Sequence, residues 1–250
     1  MGSRLWIWML GVIIVGGAAS WYLYPHDKAP LVAEVSVAPT PPAPADVPLP
    51  PASESDVKVR DALSGISPRA ELKEWLAADH LLDRLAVVAD NLAEDRSPNA
   101  QLPFLRPSKA FSVSHKAGKL IISARSQARY DTFANVISSL DEKKAAAGYK
   151  LLHPLLEAAY HALGYPGKPL DAVVARGLQR IADAPVRDEV AVRPSGAVYA
   201  FADAQLEALG PVEKQLLRMG PRNTRLLQGE ARELAGAIGL PLQGPPQAAH

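Results

Sequence analysis

The residues best equipped for chemistry gather in three places. His153, Glu157 and His161 recur at four-residue spacing. On one helix they would share a face, and two imidazoles with a carboxylate suit zinc. Pro154 follows His153 directly, and the residue before a proline is pushed out of helical geometry. His153 is therefore expected outside the helix, as a cap. Beside Leu152, Leu155, Leu156 and Leu163 the other two read as a wet face, and no metal is expected. Asp79, Asp83, Asp90 and Glu94 line up carboxylates as an acid–base hydrolase would need. Their spacing instead puts them on the solvated side opposite Leu85 and Val88. His80 is isolated, and His115 reads as a strand residue at a hairpin end.

The third place is the C-terminal segment, where Arg218, Arg222, Arg225 and Arg232 surround the break Gly220-Pro221. Arginine forks recognise carboxylate or phosphate, and a helix starting after Pro221 adds partial positive charge at its N-terminus. Arg218, Arg222 and Asn223 are the candidate binding residues for an anionic ligand or an acidic partner. The competing reading is a polar helix face balanced by Glu213, Glu230 and Glu233.

Much else is excluded. There is no Gly-Xaa-Ser-Xaa-Gly elbow, phosphate-cradling loop, dinucleotide glycine fingerprint or His-Glu-Xaa-Xaa-His helix. No catalytic residue and no cofactor is expected. The absence of cysteine removes disulfides, thiolate metal sites, a cysteine nucleophile and a lipid-modified cysteine anchor. A net charge of +1 argues against nucleic acid as a partner, because neutralising phosphates takes a strong basic excess.

These residues sit on a chain with a marked division of labour. Residues 5–24 carry no charge, with Trp6 and Trp8 at one end and Trp21, Tyr22 and Tyr24 at the other. At about 1.5 Å per residue the run spans roughly 30 Å, the thickness of a bilayer's hydrocarbon core, with an aromatic belt at each interface. A retained signal anchor is expected, rather than a signal peptide cut near Gly17-Ala18-Ala19. Arg4 and the amino terminus put residues 1–4 in the cytoplasm, so the rest would lie in the periplasm, tethered to the inner membrane. Residues 25–52 hold prolines at 25, 30, 39, 41, 42, 44, 48, 50 and 51. Such a stretch is a semi-rigid stalk, reaching roughly 80 Å when extended.

From 53 to 240 helical periodicity takes over. Ser53 or Ser55 is expected to cap a helix carrying Val57, Leu63 and Ile66. Ser67-Pro68 would start a second helix into Leu72, Trp75 and Leu76, and Asp79 a third with the stripe Leu81, Leu85, Val88 and Leu92. Further helices are expected over 128–147, 154–163, 170–184 and 222–238, the last with Leu227, Ala231, Leu234 and Ile238 on one side. Two stretches switch to period two. Val113 should face Ile122 and His115 should face Leu120 across an Ala117-Gly118 turn. Val190 and Val192 should return through Arg193-Pro194-Ser195-Gly196 to Val198–Phe201. A lone hairpin is marginal in water, so the two are expected to pack together or on the helices. The fold class is α+β: a predominantly helical soluble domain with one or two small antiparallel β-hairpins, plus the N-terminal membrane helix. The tail 241–250 is expected to be disordered.

Several short runs resemble an uncharacterised bacterial family, domain of unknown function three thousand and fourteen. They are Lys214-Gln215-Leu216-Leu217-Arg218-Met219-Gly220-Pro221, Phe201-Ala202-Asp203, Arg193-Pro194-Ser195, Val87–Ala93 around Asp90-Asn91-Leu92, and Leu155-Leu156-Glu157 through Leu163-Gly164-Tyr165-Pro166. Their order along residues 53–239 carries the resemblance. It implies a bacterial membrane protein with the same anchor, stalk and single soluble domain, and no activity follows from it. The expected function is a non-enzymatic, membrane-tethered interaction module that contacts the bilayer through residues 5–24 and another envelope protein through the soluble domain. An envelope hydrolase of cell-wall or glycan substrates and a binder of small anions are the alternatives.

Overall fold

A computed structural model describes residues 47–103, 106–107, 109–240 and 242–244. The expected span at 5–24 and stalk residues 25–46 lie outside these. Among the described residues no helix is long and apolar enough to cross a membrane.

The chain runs α1 (Ala52–Leu63), α2 (Ala70–Trp75), α3 (Leu81–Ala93), β1 (Val113–Lys116), β2 (Lys119–Ile122), α4 (Ala124–Gln127) and α5 (Asp131–Ile137). It continues as α6 (Glu142–Ala162), α7 (Leu170–Asp183), β3 (Ala191–Ser195), β4 (Val198–Phe201), α8 (Ala204–Glu207) and α9 (Pro211–Ile238). The class is therefore α+β and mostly helical. The two hairpins join into one antiparallel sheet of order β1-β2-β3-β4.

The first hairpin has the expected register, Val113 opposite Ile122 and His115 opposite Leu120. Ala117 and Gly118 both take positive φ, as a tight turn matching strand twist requires. In the second hairpin the turn lies further along than expected. Arg193, Pro194 and Ser195 belong to β3, and the chain reverses at Gly196-Ala197, between Ser195 and Val198. Pro194 is tolerated because β2 pairs only as far as Val192, so the missing N–H faces no partner strand. Period two puts Ile122, Val192 and Phe201 on one face, buried against Leu206 and Leu217.

A second core lies between α1, α2, α3, α6 and α7, around Val59, Leu82, Leu152, Leu156, Tyr160 and Val173. Here the sequence misjudged α1. No side chain caps it, Val57 is exposed, and Val59 is the buried valine. The reason is Asp56, which turns inward. Its carboxylate accepts from the backbone N–H of His80 at 2.9 Å and of Leu81 at 2.7 Å, capping α3 from another helix. Asp79 therefore does not open α3; His80, in left-handed geometry with φ 59°, does. α2 likewise starts at Ala70, beyond Ser67.

The helix expected over 128–147 is two helices. Asp141 ends the continuity by accepting from Lys144 N–H at 3.0 Å and donating its own N–H to Ile66 O at 2.7 Å. α6 then runs unbroken through Pro154, so His153 is inside the helix and not its cap. The proline removes only the donor for the Lys150 carbonyl, on an exposed side where that loss is tolerable. The break at Gly220 is where the sequence puts it, but α9 begins eleven residues earlier than 222, at Pro211. At the far end Gln243, in the tail, exchanges hydrogen bonds with Gln179 at 2.7 and 3.3 Å.

Candidate functional site

The three expected binding residues all flank the kink of α9. Gly220 has φ 83° and ψ 166°, a conformation essentially confined to glycine, and a Cβ there would stand 2.5 Å from Gln127 Cδ. Thr224 Oγ1 donates across the break to Leu216 O and Gly220 O at 2.7 and 2.9 Å. Asn223 is buried, and its Nδ2 lies within bonding distance of Met219 O, Gln127 O and Asp131 Oδ1, at 2.9 to 3.2 Å. Arg222 donates to Asn135 Oδ1 at 2.7 Å and stands 3.8 Å from Asp131. Arg218 lies over the Phe201 ring at 4.9 Å. Burial pulls its pKa down, opposed by Glu207. The Arg222, Asn223 and Thr224 donors bond within the protein itself, on both sides of the kink. Arg225 and Arg232 turn elsewhere, to Asp188 and to the Ala182 carbonyl.

The four aligned carboxylates also diverge. Asp79 and Asp83 are exposed, Glu94 reaches Arg176, and Asp90, expected in solvent, is buried in an ion pair with Arg96. His161 gives its Nε2 contact to Lys168 O at 2.9 Å.

What the helices do line is a half-open cavity of about 300 Å³ between α3, α6, α7 and the end of α9. Leu85, Val88, Leu92, Leu152, Leu234 and Ile238 are among its walls, and among the described residues Tyr149 is the sole lining side chain with polar atoms. Two expected stripes thus have an unexpected destination. On α3 it is Leu82, Ala86 and Ala93 that are buried, while Leu85, Val88 and Leu92 border the cavity. On α9, Leu227 and Ala231 are buried, while Leu234 and Ile238 border it.

Tyr149 and Ile238 also line a polar hollow with Lys150, His153, Pro154 and Asp171, which therefore adjoins the apolar space, and we call this hollow its mouth. There the Tyr149 hydroxyl donates to Asp171 Oδ1 at 2.6 Å, and His153 Nε2 lies 3.0 Å from the same oxygen. The His153 ring stands edge-on to Tyr149, centroids 5.5 Å apart, with Glu157 4.0 Å from its other nitrogen. Burial and the Asp171 carboxylate push the Tyr149 pKa up, which keeps the phenol protonated as a donor. Chemically the arrangement is a half-open apolar cavity flanked by a small hydrogen-bonding group, with Lys150 exposed at the rim.

The family profile described as "Protein of unknown function (DUF3014)" matches residues 81–235, more than half of the chain. The chain belongs to this family. No curated protein and no solved structure matches it. The DUF3014 segment contains α3, α6 and α7 entire, and with them Tyr149, His153 and Asp171 of the mouth. Sequence reasoning missed Tyr149 and Asp171 because they lie 22 residues apart on different helices, and nothing in their spacing connects them. The usable signal was apolar excess: α3 is apolar on more of its circumference than one packing face requires.

Proposed function

We propose that this chain is a membrane-tethered, non-enzymatic binding module of the bacterial cell envelope, whose periplasmic domain holds one amphipathic small molecule. Its apolar chain would occupy the cavity between α3, α6, α7 and α9, and its polar end would meet Tyr149, His153, Asp171 and Lys150. The apolar run 5–24 and the proline-rich stretch support the tether to the inner membrane, which would place the domain near lipids and other envelope proteins.

The observation that carries the binding role is the cavity itself. A space of about 300 Å³ is at the lower end of small-molecule sites, and an apolar cavity near 150 Å³ already accepts a single aromatic ring. Interiors otherwise pack closely, and unfilled apolar volume costs stability in proportion to its size. An alkyl chain would offset that cost, each buried methylene contributing about 0.8 kcal/mol. The arginine-lined kink supports the small-anion alternative less well, because Arg222 and Asn223 already donate within the fold and Arg218 lies over the Phe201 ring.

Native mass spectrometry of the full chain, extracted gently from its own membrane, tests this. The expected result is one retained small amphiphile per chain, lost when Ala89 at the cavity wall is replaced, in Ala89→Phe. A wild-type chain carrying nothing, or a folded Ala89→Phe carrying the same mass, would reject the cavity as the site.

A further inference from the structure

Glu230 stands on α9 one turn before Leu234, and Glu233 three residues after Glu230. Glu142 opens α6 and meets them across the interface. One carboxylate oxygen from each residue lies within 4.8 Å of the others. Glu230 is only 6% exposed, and its Oε1 is buried without a hydrogen-bond partner among the described residues. Like charges so close, one of them buried, are costly unless something compensates them. The cluster is not sealed, since Glu233 is exposed.

We propose that Glu142, Glu230 and Glu233 form a binding site for one hard divalent cation, of which calcium is the best fit. Oxygen-only, all-carboxylate donors select calcium, magnesium or manganese over zinc or copper. Calcium–oxygen bonds of about 2.4 Å place any two ligands of one ion no more than about 4.8 Å apart, so the three oxygens need not move far to share it. Glu230 supplies the oriented buried ligand, Glu142 the ligand from the second helix, and Glu233 the solvent side, where water completes the shell. A cation there would tie the start of α6 to the end of α9. Burial and the two neighbouring carboxylates raise the Glu230 pKa to about 7, and a cation would replace the proton that otherwise relieves the repulsion. This site is separate from the Tyr149 mouth and does not depend on the cavity's ligand.

The test is thermal unfolding of the purified full chain in detergent, stripped with a chelator and then given calcium, magnesium or manganese chloride at millimolar concentration. Saturation of about a hundredfold over Kd should raise Tm by about 5 °C or more in a domain of this size. Glu230→Gln and Glu233→Gln should each abolish the response, while Glu74→Gln, on an exposed site elsewhere, should keep it. Glu233 is exposed, so its variant carries the test if Glu230→Gln fails to fold. No Tm change with any of the three ions, or a change that survives in Glu233→Gln, would overturn the proposal.

Discussion

The two arms of α9 differ in what their polar groups have left to give. In the first arm and at the kink, Arg218, Arg222 and Asn223 are the residues whose types most suggested a binding site. Arg218 lies over the Phe201 ring, and Arg222 and Asn223 donate to Asn135, Asp131 and a backbone carbonyl. In the second arm, Glu230 looked like part of a balancing charged face, and it holds a buried oxygen with no partner among the described residues. Leu234 and Ile238 beside it border the apolar cavity. Residue type thus marks where binding chemistry is conceivable, whereas unspent bonding capacity marks where a ligand is needed.

If the first arm is structural, its geometry should be hard to change. Gly220→Ala should cost about 4 kcal/mol, combining a backbone region reserved for glycine with a clash against Gln127. Chemical denaturation would show this, and a cost below about 1 kcal/mol would mean the kink is adaptable.

The second arm should behave in the opposite way, with substitution relieving strain. Glu230 has its pKa raised in the folded state, to about 7 from 4.5, so folding takes up protons between those values. Its native environment is harmless at pH 4, becomes progressively destabilising as pH rises from about 4.5 to 7, and levels off above 7 at about 3 kcal/mol. In the presence of chelator, Glu230→Gln should therefore be more stable than wild type at pH 8 and roughly equal to it at pH 4. Equal stability at both pH values would show that the repulsion is absent.

The smallest effect belongs to Arg222, whose side chain is exposed and paired across 3.8 Å. Arg222→Ala should lower stability by less than about 1 kcal/mol and leave the binding of phosphate or carboxylate probes unchanged. A clear loss of anion affinity would restore the kink as a binding site and erase the contrast between the arms.

Sequence was a good guide wherever the signal was local. The period-two runs fixed the register of β1 and β2, and Gly220-Pro221 marked the kink. It failed where a remote group intervened. Asp56 caps α3 from 25 residues away, and the Asp141–Ile66 contact splits what looked like one helix. At Pro154 the local rule for the preceding residue yielded to a 21-residue helix packed along its length. The mouth and the glutamate cluster were hidden for the same reason, because their members come from α6, α7 and α9 and only tertiary packing brings them together.

The central claim is that the cavity is a seat for an apolar chain. It is tested most directly by competing a fluorescent naphthylamine off the full chain with straight-chain alkanoates of increasing length. Affinity should climb about fourfold per methylene until the space is full, then level off, and in Ala89→Phe the climb should vanish. A length dependence identical in wild type and Ala89→Phe would show that the chains bind elsewhere and would contradict the account.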